Sequence, residues 1–229
     1  MLNILGVIPA RGGSKSIPLK NIKLLKGKPL IEYTIESAIG SKALKRIAVS
    51  TDHDAIIKVC KKYKNIEIVT RPPELSTDEA PSEWALLHVC DEFENKDGFI
   101  PDVVLTLEPT SPLRSINTIK RCIDIFETAD ADSVISVTES RACYGKITDG
   151  KFEHLFPSQP RRRQDREPLY KESSTIYGTR IEVLRRKKSV LGDRLFPLII
   201  DKREALDIND EFDFLMVEAI MDTGSIGLI

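Results

Sequence analysis

Apolar residues follow two alternating rhythms along this chain. Short runs at Asn3–Pro9, Arg46–Ser50, Ile66–Val69, Asp102–Leu107, Ser133–Val137 and Phe196–Ile200 have the length of strands buried on both faces. Between them apolar residues recur at helical spacing, as with Leu30, Ile31, Ile35, Ala38 and Ile39 in Pro29–Ile39, and Ile56, Ile57, Val59 and Cys60 in His53–Tyr63. Glu83–Phe93, Ile116–Thr128, a basic stretch Thr179–Lys188 and Glu211–Met221 read as further helices. Gly40 is the expected stop of the first helix, and Thr51 or Asp52 the expected cap of the second. This β-α-β-α-β order predicts right-handed crossovers and a mostly parallel sheet flanked by helices, in one domain covering 1–229.

The rhythm breaks after four of the strands. In an open α/β sheet, loops at the carboxyl ends of strands share one side, and ligands bind there. The first break is Ala10–Asn21. The second, Arg71-Pro-Pro-Glu-Leu-Ser-Thr-Asp-Glu-Ala-Pro-Ser82, is too rich in proline to be a helix. The third is Glu108-Pro-Thr-Ser-Pro-Leu-Arg114. The fourth, Thr138 to about Ser174, carries Tyr144, Phe152, Phe156 and the run Arg161-Arg-Arg-Gln-Asp-Arg166, and is expected to protrude as an arm until Ile176-Tyr177-Gly178 returns to the sheet.

The first loop has the chemistry of a phosphate site. Gly12 and Gly13 can take positive φ and lack a Cβ, so backbone N–H groups can approach phosphate oxygens. Arg11 offers a planar fork of donors and Lys15 and Lys20 compact charges, enough together to neutralise a triphosphate. The loop has neither the Walker spacing nor G-x-G-x-x-G. Composition adds one constraint: the formal net charge is −1, with 41% hydrophobic and 30% charged residues. No global field draws this chain to nucleic acid or a membrane, so positive charge for an anionic substrate must be local.

With these loops in view, the sequence resembles the CMP-N-acylneuraminate synthetases, cytidylyltransferases that activate nonulosonic (sialic-acid-like) acids. The resemblance rests on Ile8-Pro-Ala-Arg-Gly-Gly-Ser-Lys15 with Lys20-Asn21, on Arg71-Pro-x-Glu-Leu-Ser-Thr-Asp78 with Ser82, on Glu108-Pro-Thr-Ser-Pro-Leu-Arg114, on Arg163-Gln-Asp165, and on Leu206-Asp-Ile208 before Glu211-Phe-Asp-Phe214. It implies a Rossmann-like nucleotidyltransferase sheet with a dimerisation arm at 138–174, and transfer of CMP from CTP to the anomeric hydroxyl of a 2-keto-3-deoxy sugar acid. It implies Mg²⁺ as cofactor, a homodimer, and no nucleic-acid or membrane partner.

By the same resemblance Arg11, Lys15, Lys20 and Asp207 serve catalysis. Arg11, Gly12, Gly13, Ser14, Lys15 and Asn21 hold the nucleotide, with Arg71 and Ser82 reading cytosine. Glu108, Thr110, Ser111, Arg163, Gln164 and Tyr177 face the sugar, Arg163 and Gln164 reaching over the partner's site. Asp207 and Asn209 hold the metal. Three positions depart from the family pattern: Glu108 stands where glutamine is usual, Ser173-Ser174 where Asn-Gly is usual, and Asn209 where a second acid is common. A carboxylate accepts hydrogen bonds but donates none unless protonated, so Glu108 points to a sugar other than plain N-acetylneuraminate.

Other readings stay open at this stage. Arg114 could meet a substrate carboxylate or pack a helix against a loop, and Asp210 suits a helix cap better than a metal ligand. Asp52-His-Asp54 has the outline of a glycosyltransferase metal motif, a 3-deoxy-manno-octulosonate cytidylyltransferase is a close relative, and a non-catalytic nucleotide-binding protein could share the scaffold. Cys60, Cys90, Cys122 and Cys143 are far apart and fit reduced thiols of a cytoplasmic protein, and the first residues suggest no leader or span. His53, His88 and His154 form no catalytic set.

Overall fold

The computed structural model describes residues 2–14 and 16–223. Lys15 therefore lies outside the described residues. The strands are β1 (Ile4–Pro9), β2 (Leu24–Leu25), β3 (Lys28–Pro29), β4 (Arg46–Thr51), β5 (Glu67–Thr70), β6 (Val103–Thr106), β7 (Ser133–Ser140), β8 (Gly145–Thr148), β9 (Lys151–His154), β10 (Leu169–Arg180) and β11 (Leu195–Ile199). The helices are α1 (Leu30–Ser41), α2 (Asp54–Cys60), α3 (Ser82–Asp97), α4 (Ile116–Thr128), α5 (Ile181–Lys187) and α6 (Glu211–Asp222).

Seven strands form the central sheet in the order β11-β7-β10-β6-β1-β4-β5. β1 pairs in parallel with β4 and β6, β4 with β5, and β7 with β11, whereas β10 runs antiparallel to both its neighbours. Alternate residues serve two cores, one per face. Ile4, Ile8, Val49 and Leu105 pack with α1, α2 and α4, while Leu5, Val7, Ala48 and Val104 pack with α3 and α5. Both faces are covered, which is why these strands read as continuous apolar runs. Pro197 sits in β11, an edge strand, where a missing N–H costs no ladder bond on the open side.

A third, smaller core fastens the ligand side. Ile17 of the first loop, Leu113 after β6, Ile208, and Phe214 and Val217 of α6 are buried together. The loops that the sequence places on one side are thereby packed against one another.

Several expectations are corrected. Gly40 does not stop α1, which runs to Ser41 and ends on Lys42 in the left-handed region at φ 54°. His53, not Thr51 or Asp52, caps α2, its Nδ1 accepting from the Ala55 N–H at 3.2 Å. The arm is more regular than its sequence suggests: Thr138–Ser140 and Leu169–Ser174 belong to β7 and β10, whose ladder runs on to Leu169 and Ser140. Between them β8 and β9 form a hairpin over Asp149-Gly150, both at positive φ. What protrudes is thus a continuation of the β7–β10 ladder with a separate two-stranded ribbon, β8–β9, on which Ile147 is 77% and Phe152 60% exposed.

Arg114 falls on the packing side of its two readings. It is 1% exposed, and its guanidinium donates to Thr175 O (2.6 Å), Thr34 Oγ1 (3.3 Å) and Glu108 O (2.6 Å). Burial lowers its pKa to about 10, although Glu108 and Glu204 oppose the shift. Replacing it with Met removes the charged donor to the Thr175 and Glu108 carbonyls, the second of which keeps only the longer bonds from the Ser111 N–H and the Thr34 hydroxyl, and is expected to cost about 3 kcal/mol of stability. Urea denaturation reads this directly, and a loss below about 1 kcal/mol would show that Arg114 holds nothing together.

Candidate active site

The carboxyl ends of β1, β4, β5 and β6 open on a cleft with two lobes. One, of about 440 Å³, is lined by Arg11, Ser14, Lys20, Asn21, Arg71 and Asn209 among others. The second, of about 370 Å³, includes Glu172, Ser174, Tyr177 and Asp207. Ser82, Glu108 and Thr110 border both and mark where the lobes meet.

In the first lobe the loop after β1 is held by its neighbours. Asn21 is buried and its amide donates to Arg11 O at 3.0 Å, so it braces the loop as well as lining the lobe. The Gly12 N–H donates to the Asp52 carboxylate at 2.8 Å, and Arg11 Nη1 reaches both Thr77 O (2.9 Å) and Asp78 (2.8 Å) across the cleft. Gly12 and Gly13 do not use the positive φ open to them. Gly12 is required for another reason: a Cβ there would lie 2.5 Å from the His53 ring. Asp52 and His53 are thus loop supports, and the glycosyltransferase-like outline of Asp52-His-Asp54 dissolves, since Asp54 opens α2.

Lys20 Nζ donates to Ile208 O at 2.7 Å. Burial lowers its pKa, against the pull of Asp207, Glu108 and Asp213. Leu19, just before it, is in the left-handed region at φ 49°, a strain that an unbranched glycine would avoid and that the sequence does not announce. Arg71 is no solvated loop residue. It is 6% exposed, with Nε donating to Ser50 Oγ and Nη2 to Ser50 O, both at 3.1 Å, and burial lowers its pKa. Ser82 begins α3, whose amino end faces both lobes.

The second lobe is shaped by an irregularity in β10. Ser173 pairs with Ser136 and Tyr177 with Ile135, so three residues bulge out of the ladder. Ser136 Oγ fills the gap, donating to Ser173 O at 2.7 Å and accepting from the Ile176 N–H at 3.1 Å. The bulge brings Ser174 to the lobe, and its buried Oγ has no partner among the described residues. Tyr177 lines the lobe, with its hydroxyl donating to Glu172 at 3.0 Å.

Glu108 occupies the junction. Burial, then the nearby charge of Asp207, raises its pKa to about 7, with Arg114, Arg71 and Lys20 opposing. Thr110 borders both lobes, and its carbonyl accepts the Ile208 N–H at 2.8 Å. Ser111, expected to face the sugar, is instead fully buried and borders neither lobe. Its N–H closes a turn onto Glu108 O at 3.3 Å, so it shapes the loop from behind.

Asp207 presents a buried Oδ1 without a hydrogen-bond partner among the described residues, the condition of an atom that a cation would satisfy. Asn209 does not stand beside it as a second ligand: its amide nitrogen donates back to Asp207 O at 3.3 Å, and it borders the first lobe while Asp207 borders the second. Asp210 caps α6 in a reciprocal box with Asp213. No group of three or more acidic, His or Cys side chains suited to a metal occurs among the described residues.

Arg163 and Gln164 form an exposed turn on the arm and border neither lobe of their own chain. All four cysteines are free, and only Cys143 is exposed. No helix among the described residues is long and apolar enough to cross a membrane.

A mostly parallel sheet with a cation-bearing loop after its first strand and a divided cleft at its carboxyl end has the build of a nucleotidyltransferase. The family model described as Cytidylyltransferase matches residues 5–192, and the chain belongs to that family. It is 34% identical over 218 residues to an N-acylneuraminate cytidylyltransferase of Streptococcus agalactiae serotype V, across 92% of this chain and 51% of that protein. The chain thus spans about half the length of that relative. It is 32% identical to a CMP-N,N'-diacetyllegionaminic acid synthase of Legionella pneumophila, across the whole of both chains. A CMP:2-keto-3-deoxy-manno-octonic acid synthetase complexed with CTP has a similar structure, with TM-score 0.72 and 16% identity over 96% of this chain and 99% of that one, which establishes the fold alone.

Two outcomes follow from this geometry. Gly12→Ala must displace either the loop or His53, and is expected to weaken CTP binding about tenfold while the protein stays folded, as calorimetric titration would show. Unchanged affinity would mean that the loop has room that its packing denies. Because the folded state raises Glu108 from its ordinary 4.5 to about 7, the stability this group supplies is complete below pH 4.5 and is lost as pH rises through 7. Glu108→Gln should abolish that decline, on the order of 1 kcal/mol after screening by the open cleft, and a pH series of urea midpoints with parallel slopes in both proteins would contradict it.

Proposed function

We propose that this protein transfers CMP from CTP to the anomeric hydroxyl of a nonulosonic acid. The observation that carries this reading is the meeting of two lobes at Glu108, Ser82 and Thr110, with Arg11, Lys20 and Arg71 on one side and a sugar-sized space on the other. The Streptococcus and Legionella relatives, named for acids of that class, support it.

In the reaction the anomeric hydroxyl gives up its proton to solvent as its oxygen attacks the α-phosphorus, the bond from that phosphorus to the bridging oxygen breaks, and pyrophosphate leaves. Such a transfer asks the protein mainly for alignment and for compensation of charge on the departing oxygens. Arg11 and Lys20 fit the second need, and Lys15, by its place in the loop, would add to it. Arg71 and Ser82 would read the cytosine edge at the base end of the lobe. Thr110 and Tyr177 would position the sugar.

Asp207 fits a Mg²⁺ ion through its unpartnered Oδ1, and the ion when bound would neutralise phosphate charge. Asn209 would support Asp207 by donating its amide N–H to the Asp207 backbone carbonyl rather than by coordinating beside it. Arg163 and Gln164 would act across a homodimer interface: the second lobe is bordered by no arginine or lysine of its own chain among the described residues, while the arm carries a run of four arginines between 161 and 166. The protein would work in the cytoplasm, where its thiols stay reduced.

Pyrophosphate release is the test, with CTP, Mg²⁺ and a nonulosonic acid against ATP, GTP and UTP. Release is expected with CTP alone, and equal release with UTP would remove Arg71 and Ser82 as readers of cytosine. Asp207→Ala is expected to lower the rate about 100-fold at every Mg²⁺ concentration. Wild-type rates across that titration would remove Asp207 from the metal site.

A further inference from the structure

The second lobe has an uneven chemistry. Glu83, Glu108, Glu172 and Asp207 border it, with no cationic side chain among its described residues. Asp207 is the fit for a cation, one oxygen of Glu172 takes the Tyr177 hydroxyl, and one of Glu83 takes the Ser82 hydroxyl at 3.3 Å. Neither carboxylate oxygen of Glu108 accepts a hydrogen bond from a described residue, so the junction holds a free acceptor. The same lobe is bordered by Glu172, whose second oxygen takes no hydrogen bond from a described residue, by the unpartnered Ser174 Oγ, and by Ser189, Val190 and Leu191.

Sugar hydroxyls could donate to those carboxylates, but they would leave the rest of this wall unmatched. An acylamino group matches all of it: its N–H donates to a carboxylate, its carbonyl accepts from a serine hydroxyl, and its methyl covers Val190 and Leu191. Glu108, which follows β6, and the Glu172–Ser174 edge, which lies on β10, belong to different elements and offer two separate acceptor positions. We infer that the second lobe selects a nonulosonic acid carrying two acylamino groups over one carrying a single acylamino group or none. This inference rests on the cytidylyl-transfer reading and names the substrate class within it.

The test uses the full chain with CTP and Mg²⁺ and three nine-carbon 2-keto-3-deoxy acids: a diacylamino acid, N-acetylneuraminate with one acylamino group, and its deaminated analogue with none. The diacylamino acid is expected to exceed N-acetylneuraminate in kcat/KM by about tenfold or more, because the lesser substrate strands a desolvated protein group. Glu108→Gln and Ser174→Ala should each narrow that ratio, mainly through KM for the sugar, rather than slow all three acids alike. An equal or higher kcat/KM for N-acetylneuraminate overturns the inference and leaves cytidylyl transfer standing. Turnover of none of the acids, with CTP still bound, overturns both.

Discussion

Ile208 is the residue on which the cleft depends. Its side chain is fully buried in the small core beneath the loops, its N–H donates to Thr110 O and its carbonyl accepts from Lys20 Nζ. One residue thereby ties the loop after β6 and the phosphate loop to the segment entering α6. Each bond is modest on its own, about 1 kcal/mol, but burial makes them jointly binding, since breaking either would strand a group away from water. Asp207 and Asn209 flank this anchor and inherit their positions from it. The position of the carboxylate with the unpartnered oxygen therefore follows from the packing of its neighbour Ile208.

The phosphate loop obeys the same logic from the other end. Asn21 holds Arg11 O, Asp52 holds the Gly12 N–H, and Arg11 reaches across to Thr77 and Asp78. Donors that a polyphosphate would use are occupied in the free protein by carboxylate and carbonyl oxygens. Anion-binding groups left bare in a half-buried cleft would repel one another and lose hydration, so these acceptors hold the loop in its folded arrangement. On the proposed reading, nucleotide binding would exchange one set of oxygens for another, and specificity would come from geometry that exists beforehand.

The mostly parallel sheet was legible because burial on both faces leaves a strong signature: β1, β4 and β6 are apolar runs, and the pattern places α4 at Ile116–Thr128. The sequence also marked the loops that matter, since Pro72, Pro73 and Pro109 disfavour a continuous α-helix or an interior strand. What escaped it was set by tertiary contact. Nothing local to Gly12 says that His53 will press against it, and nothing in Arg114 chooses between a ligand and three protein acceptors. The antiparallel course of β10 and its bulge depend on Ser136, nearly forty residues away, filling the gap. The β8–β9 hairpin is different: Asp149-Gly150 is a strong turn signal, obscured by the absence of alternating apolar residues on a ribbon that faces solvent.

That ribbon bears on the charge problem at the centre of the site. A lobe bordered by four carboxylates cannot by itself hold an anionic sugar next to a triphosphate. Two sources of positive charge are consistent with the fold, a cation at Asp207 and the arginines at the tip of β7–β10. Both are external to the lobe, and both would arrive with substrate or assembly rather than reside there. An isolated subunit would then bind nucleotide through Arg11, Lys20 and Arg71 but hold the sugar acid weakly. The acid-rich wall, unfavourable for a carboxylate, is favourable for N–H donors, so the lobe's charge deficit and its choice of sugar have one physical origin.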